Sequence, residues 1–231
     1  MISYRLSILA CAILILVSCK KDDPVKIDVG HSYFPVEIGS WIIYDVDSTV
    51  WNDFDVPSVV TNYQYQIKEV IESAFIDDEG REALRWERYK RDTVTDPWVI
   101  KDVWIANKTV STAEKVEENE RFIKLIFPVR LAKIWDGNAA NTMDEWDYQY
   151  TEVDAPKTIG GLSFDSTLTV AQQDFNTWVT YDFFEEYYAK NVGMVYKKGL
   201  HWEKGDANLN WDVDYKAGYE YTMTINSYSN Q

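Results

Sequence analysis

The chain has 231 residues, with 23 basic against 38 acidic side chains, a net charge of −15 at pH 7 and only two histidines. A surface this acidic repels nucleic acid and anionic membrane faces, which argues against nucleic-acid binding. The length is enough for one sizeable core and does not require two domains.

The first residues read as an export signal. Met1–Arg5 carries one positive charge, and Leu6–Val17 is apolar apart from Ser7 and Cys11. A basic start, an apolar stretch and a small residue before the cut are the parts of a secretory signal. The stretch falls short of the roughly 20 apolar residues that a membrane-spanning helix needs. Leu16-Val17-Ser18-Cys19 resembles the lipobox of bacterial lipoproteins, which implies cleavage after Ser18 and acylation (palmitate among the chains) at Cys19. Each buried acyl CH₂ contributes about 0.8 kcal/mol, so several chains hold the protein firmly to a membrane. The other cysteine, Cys11, leaves with the signal, and no thiol then remains for a disulfide, a zinc site or a nucleophile. The expected organisation is a signal peptide over 1–18, a lipidated flexible tether over 19–32 and a single β-rich domain over 33–231. Lys20-Lys21-Asp22-Asp23-Pro24 gives the tether solvated charge, and it resembles the surface-export signal of Bacteroidota lipoproteins. That likeness implies an outer-membrane protein facing the cell surface.

From Tyr33 onward the pattern predicts strands. Aromatic residues make up 15% of the chain, with ten Trp and sixteen Tyr, and these rings favour pleated, half-buried surfaces. Trp41–Val46 reads as a first strand and Val59–Ile76 as a long alternating one with a slip in phase. Asp77-Asp78-Glu79-Gly80 is a turn, with Glu82–Thr93 returning from it. Trp98–Ala106, Thr109–Val116 and Arg121–Phe127 follow, the last pair joined at Glu117-Glu118-Asn119. Pro128–Met143 is irregular. Trp146–Val153 and Ser166–Gln172 read as strands around a loop at Ala155–Gly161. In Tyr181–Lys190 the spacing of Phe183, Phe184, Tyr187 and Tyr188 predicts one short amphipathic helix. Met194–Trp202 and Tyr219–Tyr228 close the chain around a polar loop, Glu203–Asp214. The predicted fold class is all-β with one short helix: a curved antiparallel sheet, open or nearly closed as a half-barrel.

Two segments carry a resemblance. Tyr33-Phe34-Pro35-Val36-Glu37-Ile38-Gly39-Ser40-Trp41-Ile42-Ile43-Tyr44 is similar to the opening of uncharacterised Bacteroidota outer-membrane lipoproteins. Glu186-Tyr187-Tyr188-Ala189-Lys190-Asn191-Val192-Gly193-Met194-Val195-Tyr196 is similar to their second hallmark. The layout also resembles the half-barrels of lipoprotein-localisation factors, a likeness of fold that carries no function by itself.

Candidate chemistry is sparse. Asp206, Asn208, Asn210, Asp212 and Asp214 place oxygen-bearing side chains at every second position, a composition that suits Ca²⁺. Trp211 stands where a calcium loop has its turn glycine, and Ala217 where the closing glutamate belongs, so a solvated hairpin explains the same residues. No cofactor is otherwise expected. His201 stands alone beside Trp202, and His31 falls in the tether. There is no zinc spacing, phosphate loop or nucleophile elbow, and Glu185-Glu186 read on a helix point too far apart to flank one glycosidic bond. Trp51, Trp98, Trp104, Trp135, Trp178 and Trp202 are candidates to line a face that binds an apolar or glycan ligand, against the plainer reading that they fill a core. Ser48, Thr93 and Ser166 lie in triplets resembling an O-glycosylation motif of exported Bacteroidota proteins. The expectation is a non-enzymatic envelope lipoprotein that binds a glycan or lipid ligand or acts as an accessory subunit. The alternative is a structural module docking to an outer-membrane protein partner.

Overall fold

The computed structural model describes residues 28–52, 59–205 and 217–229. Among them are twelve strands: β1 (Trp41–Asn52), β2 (Val59–Ile76), β3 (Glu82–Arg91), β4 (Val99–Lys108), β5 (Thr112–Glu117), β6 (Glu120–Ile126), β7 (Ile134–Asp136), β8 (Asp147–Ile159), β9 (Leu162–Asn176), β10 (Thr180–Ala189), β11 (Gly193–Glu203) and β12 (Ala217–Tyr228). They form one antiparallel sheet in the order β6-β5-β4-β3-β2-β1-β12-β11-β10-β9-β8-β7. Pairing of β1 with β12 brings the two ends of the domain together, from Ile42 opposite Tyr228 to Trp51 opposite Gly218. The sheet's two edges, β6 and β7, are consecutive in sequence, so the sheet curls until they meet.

One backbone bond and two side chains close that seam where strand pairing does not. The Ile123 amide donates to the Gly137 carbonyl at 2.9 Å, and the Trp135 indole donates to the Ile123 carbonyl at 2.8 Å. The Tyr150 hydroxyl accepts from the Ile126 amide (2.9 Å) and donates to the carbonyl of the same residue (2.8 Å). Tyr150 therefore replaces one rung of the ladder that β6 lacks. Burial pushes its phenol well above the ordinary tyrosine range. Tyr150→Phe should leave a buried N–H and C=O without partners, at a cost of about 1–3 kcal/mol, measured by urea unfolding. A loss within error of zero would mean that the seam does not depend on this hydroxyl.

Alternation along the strands divides inside from outside. In β1, Ile42, Tyr44 and Val46 are buried, and in β3, Leu84, Trp86 and Arg88. Two apolar clusters result, one around Tyr33, Phe34, Trp86, Leu125, Trp135 and Tyr150, the other around Tyr44, Ile67, Phe164, Val195 and Ile225. The turn at Gly160 runs so close to β12 that a Cβ there would lie 1.9 Å from the Ile225 carbonyl oxygen. Its φ of +58° also favours glycine.

One end of the barrel is plugged. A 3₁₀ turn at His31–Tyr33 places Tyr33 in the interior, where its hydroxyl donates to Asp154 (2.8 Å) and bonds Ser166 (2.8 Å). The Lys108 ammonium donates to the carbonyls of His31 and Phe34 at 2.8 and 2.7 Å. Lys190 bridges Asp28 (3.0 Å) and Asp154 (2.7 Å), and the Asn191 amide donates to the Ser32 carbonyl at 2.7 Å. The plug is thus bonded to β8, to β9, to the end of β4 and to the segment that follows β10. The β3–β4 and β9–β10 turns lie at the opposite end, as do the last residues of β1 and β11.

The expected helix at Tyr181–Lys190 does not form, since Thr180–Ala189 is β10. Both faces of this strand carry rings, with Phe184 and Tyr188 on the side of Glu186, and Phe183 and Tyr187 on the other. An inward carboxylate at Glu186 interrupts the apolar alternation and mimics a helical period. The residues expected to loop at Ala155–Gly161 instead continue β8 to Ile159, with a tight turn at Gly160-Gly161.

Candidate ligand recess and its charged floor

Charged residues occupy the middle of the barrel. Glu69 (β2) accepts from Arg88 (β3) at 3.0 Å, from Lys115 (β5) at 3.0 Å and from the Trp86 indole at 3.0 Å. Arg88 also reaches Asp102 (β4) at 2.9 Å, which Lys101 bonds at 2.6 Å. Beside them, Glu186 (β10) lies 2.6 Å from Lys124 (β6) and 3.2 Å from Lys197 (β11), and it accepts from the Tyr188 hydroxyl at 2.6 Å. Glu117 (β5) approaches the same two lysines at 3.6 and 3.7 Å. In the sheet order β5 and β11 are six places apart, on opposite walls. Eight strands already give a barrel whose interior side chains just fill. A twelve-stranded barrel with ion pairs joining opposite walls is therefore flattened.

Each carboxylate here serves two cations. Burial alone would raise the Glu186 carboxyl, but Lys124 and Lys197 outweigh it and hold it down at about 2. The same contest, won by Lys115 and Arg88, lowers Glu69, and Glu117 falls well below the usual range through Lys124 and Lys197. In return the Lys124 and Lys197 ammonium groups, which burial alone would lower, are raised by Glu117 and Glu186. These groups are ionised at neutral pH.

The charged layer divides the interior. Toward the plug lies a cavity of about 50 Å³ under Phe34, Pro35, Tyr188 and Met194, large enough for a few waters. On the other side a recess of about 280 Å³ opens, walled by Tyr65, Trp104 and Tyr221 and floored by Arg88, Lys115 and Lys197. Its size is close to the lower limit of small-ligand pockets. The Arg88 guanidinium stacks 3.8 Å from the centre of the Trp104 ring, and the Lys115 ammonium lies 4.7 Å from it.

The six candidate tryptophans do not form one wall. Trp104 lines the recess, whereas Trp135 is buried in the seam. Trp51 packs edge-on against Trp202, which packs against Tyr181, and Trp98 lies under Arg91. Trp178 is 80% exposed on the β9–β10 turn. Of the candidate glycosylation sites, Ser48 lines the recess, and Ser166 is bonded to Asp154 and Tyr33. Thr93 lies on the exposed β3–β4 turn, where its hydroxyl donates to Asp96 at 2.8 Å. His201 is not isolated: Asp182 lies 2.6 Å from Nδ1 and Glu203 3.4 Å from Nε2. Cys19 and the Asp206, Asn208, Asn210, Asp212 and Asp214 loop lie outside the described residues. Among the described residues no group of three or more His, Cys, Asp or Glu side chains is arranged to hold a metal ion.

The charged floor was not foreseen from sequence. Its signal is parity: Glu69 falls in register with Ile67 and Ile71, Arg88 with Leu84 and Trp86, and Glu186 with Phe184 and Tyr188.

No protein-family model matches the chain, and no curated protein matches it. Among solved structures it is similar to a protein described as exported, with a YmcC-like fold, from Bacteroides fragilis. That pair is 9% identical over 85% of this chain and 98% of that one, with a TM-score of 0.46. It is also similar to a protein described as a lipoprotein from Parabacteroides distasonis, 10% identical over 85% and 98%, with a TM-score of 0.36.

Proposed function

We propose that the chain is a non-enzymatic outer-membrane lipoprotein, anchored through Cys19 and displayed at the cell surface, whose barrel holds a small ligand in the recess opposite the plug. The observation that carries this reading is the recess itself: aromatic walls over a floor of side chains fixed by ion pairs. Such a floor is preorganised, so binding costs little ordering of side chains. The lipobox supports the anchor. About nine residues separate Cys19 from Asp28, a reach of at most ~30 Å even when extended. They join the plugged end, whereas the eighteen residues of β2 span ~60 Å at strand rise. The open end is therefore turned away from the anchoring membrane.

The test is a thermal-shift panel of glycans and lipids on the mature chain. A ligand at a hundred times its Kd should raise the midpoint by about 5–10 °C, and no shift across the panel would overturn the binding role. Intact mass of detergent-extracted protein should show acyl chains, lost in Cys19→Ser.

A second reading rests on a different observation. Val50, Val59, Val60, Val99, Ile100 and Trp178 are exposed apolar residues near the open end, which favours docking of a protein partner there. Co-purification of one membrane protein with the intact lipoprotein, lost when Trp178 becomes serine, would support this reading.

A further inference from the structure

We infer that the recess takes an anionic saccharide, an acidic monosaccharide or the acidic residue of a glycan. This inference rests on the binding role proposed above and adds the chemical class. It starts from charge. Among the described residues, Arg88, Lys101 and Lys115 share two carboxylates, Glu69 and Asp102. The neighbouring set, Lys124 and Lys197 with Glu117 and Glu186, is balanced. One positive charge is thus uncompensated, in a protein of net charge −15, and it belongs to the set that lines the recess.

The position of that charge follows from the backbone. β3 and β4 pair Arg88 with Asp102 but Tyr89 with Ile100, so Lys101 is the extra residue of a bulge. Bulges re-aim side chains, and Lys101, though 42% exposed, joins the recess lining. That uncompensated cation calls for a group carrying negative charge.

The rest of the wall selects among anions. Trp104, Tyr65 and Tyr221 line the recess with aromatic rings, the first with Arg88 and the second with Lys90 over the ring, and such rings pack on sugar C–H groups. A fatty acid would need an apolar channel for its tail. Behind the recess stand Glu69, Lys115 and Glu117, and beyond them a cavity of only about 50 Å³. Inorganic phosphate would leave most of the 280 Å³ and all three rings unused.

The experiment is calorimetric titration of the full mature chain with glucuronate, glucose and palmitate, repeated on Lys101→Met. Glucuronate should bind at least tenfold more tightly than glucose, weaken with added salt and lose about tenfold in the variant. The Lys101 side chain is 42% exposed, so the variant should keep its unfolding midpoint. Equal binding of glucose and glucuronate, a preference for palmitate, or salt-independent binding of the wild-type chain would each overturn the anionic-saccharide class while leaving the binding role intact. No heat with any of the three, alongside a positive response elsewhere in the thermal-shift panel, would reject this class alone. Silence in both would reject the binding role with it.

Discussion

Glu186→Leu should destabilise the protein by about 3–5 kcal/mol, measured by urea unfolding at pH 7. Glu186 is fully buried and faces Lys124 at 2.6 Å, Lys197 at 3.2 Å and the Tyr188 hydroxyl at 2.6 Å. Its removal leaves the buried Lys124 ammonium and the partly buried Lys197 ammonium to share Glu117, which stands farther from both. The loss comes from stranded charge and not from lost packing, because leucine is apolar and of similar size. A second substitution separates these causes. Glu186→Leu combined with Lys124→Met removes a cation together with its partner and leaves the Lys197–Glu117 pair. The double variant should be more stable than Glu186→Leu alone. If the single variant loses less than about 1 kcal/mol, water reaches these charges and the layer is not buried as described.

Acid should unfold the barrel from the same place. Glu69, Glu117 and Glu186 are all held below the ordinary carboxylate value, Glu186 at about 2. A carboxylate lowered on folding binds protons more readily in the unfolded chain, so it favours the unfolded state as pH falls. Its stabilisation is complete above the unfolded value of about 4.5 and is lost as pH drops toward the folded value. The thermal midpoint should therefore be flat from pH 7 to about 5 and fall steeply between about 4.5 and 2. Asp154, held at about 2 chiefly by Lys190, with Ser166 and Tyr33, adds to the fall at the plug. Lys124 and Lys197 are raised, so their contribution is present below the ordinary lysine value and lost only in strong alkali. In Glu186→Leu the acid transition should be shallower. An unchanged slope would mean that this carboxylate does not govern acid stability.

Most strands were legible because their signals are local. The run Val59–Ile76 alternates with one slip in phase and forms β2 with those bounds, its pairing to β3 shifting between Ile71 and Ser73, and the turns at Asp77–Gly80 and Glu118-Asn119 sit where their residue types predict. In the first, Asp77 caps the backbone amides of Glu79 and Arg81. In the second, Glu118 and Asn119 both take positive φ. Thr180–Ala189 was misread for a physical reason. Sequence patterns assume that inward residues are apolar, and Glu186 is inward because Lys124 and Lys197 come from strands distant in sequence. The recess was illegible for the same reason. Its floor combines β2, β3, β5 and β11, and no spacing within one strand announces such a convergence. Trp104 could be nominated by residue type, but nothing local distinguished it from Trp135 in the seam or Trp178 in solvent.

The central claim is that a ligand occupies the recess beside Trp104. It is tested most directly by titrating the mature chain with glucuronate while following tryptophan fluorescence, in parallel with Trp104→Phe and Trp178→Phe. The expected result is saturable quenching that survives Trp178→Phe and disappears in Trp104→Phe, with both variants folded by circular dichroism. Saturable quenching that persists undiminished in Trp104→Phe would place the ligand elsewhere and contradict the account.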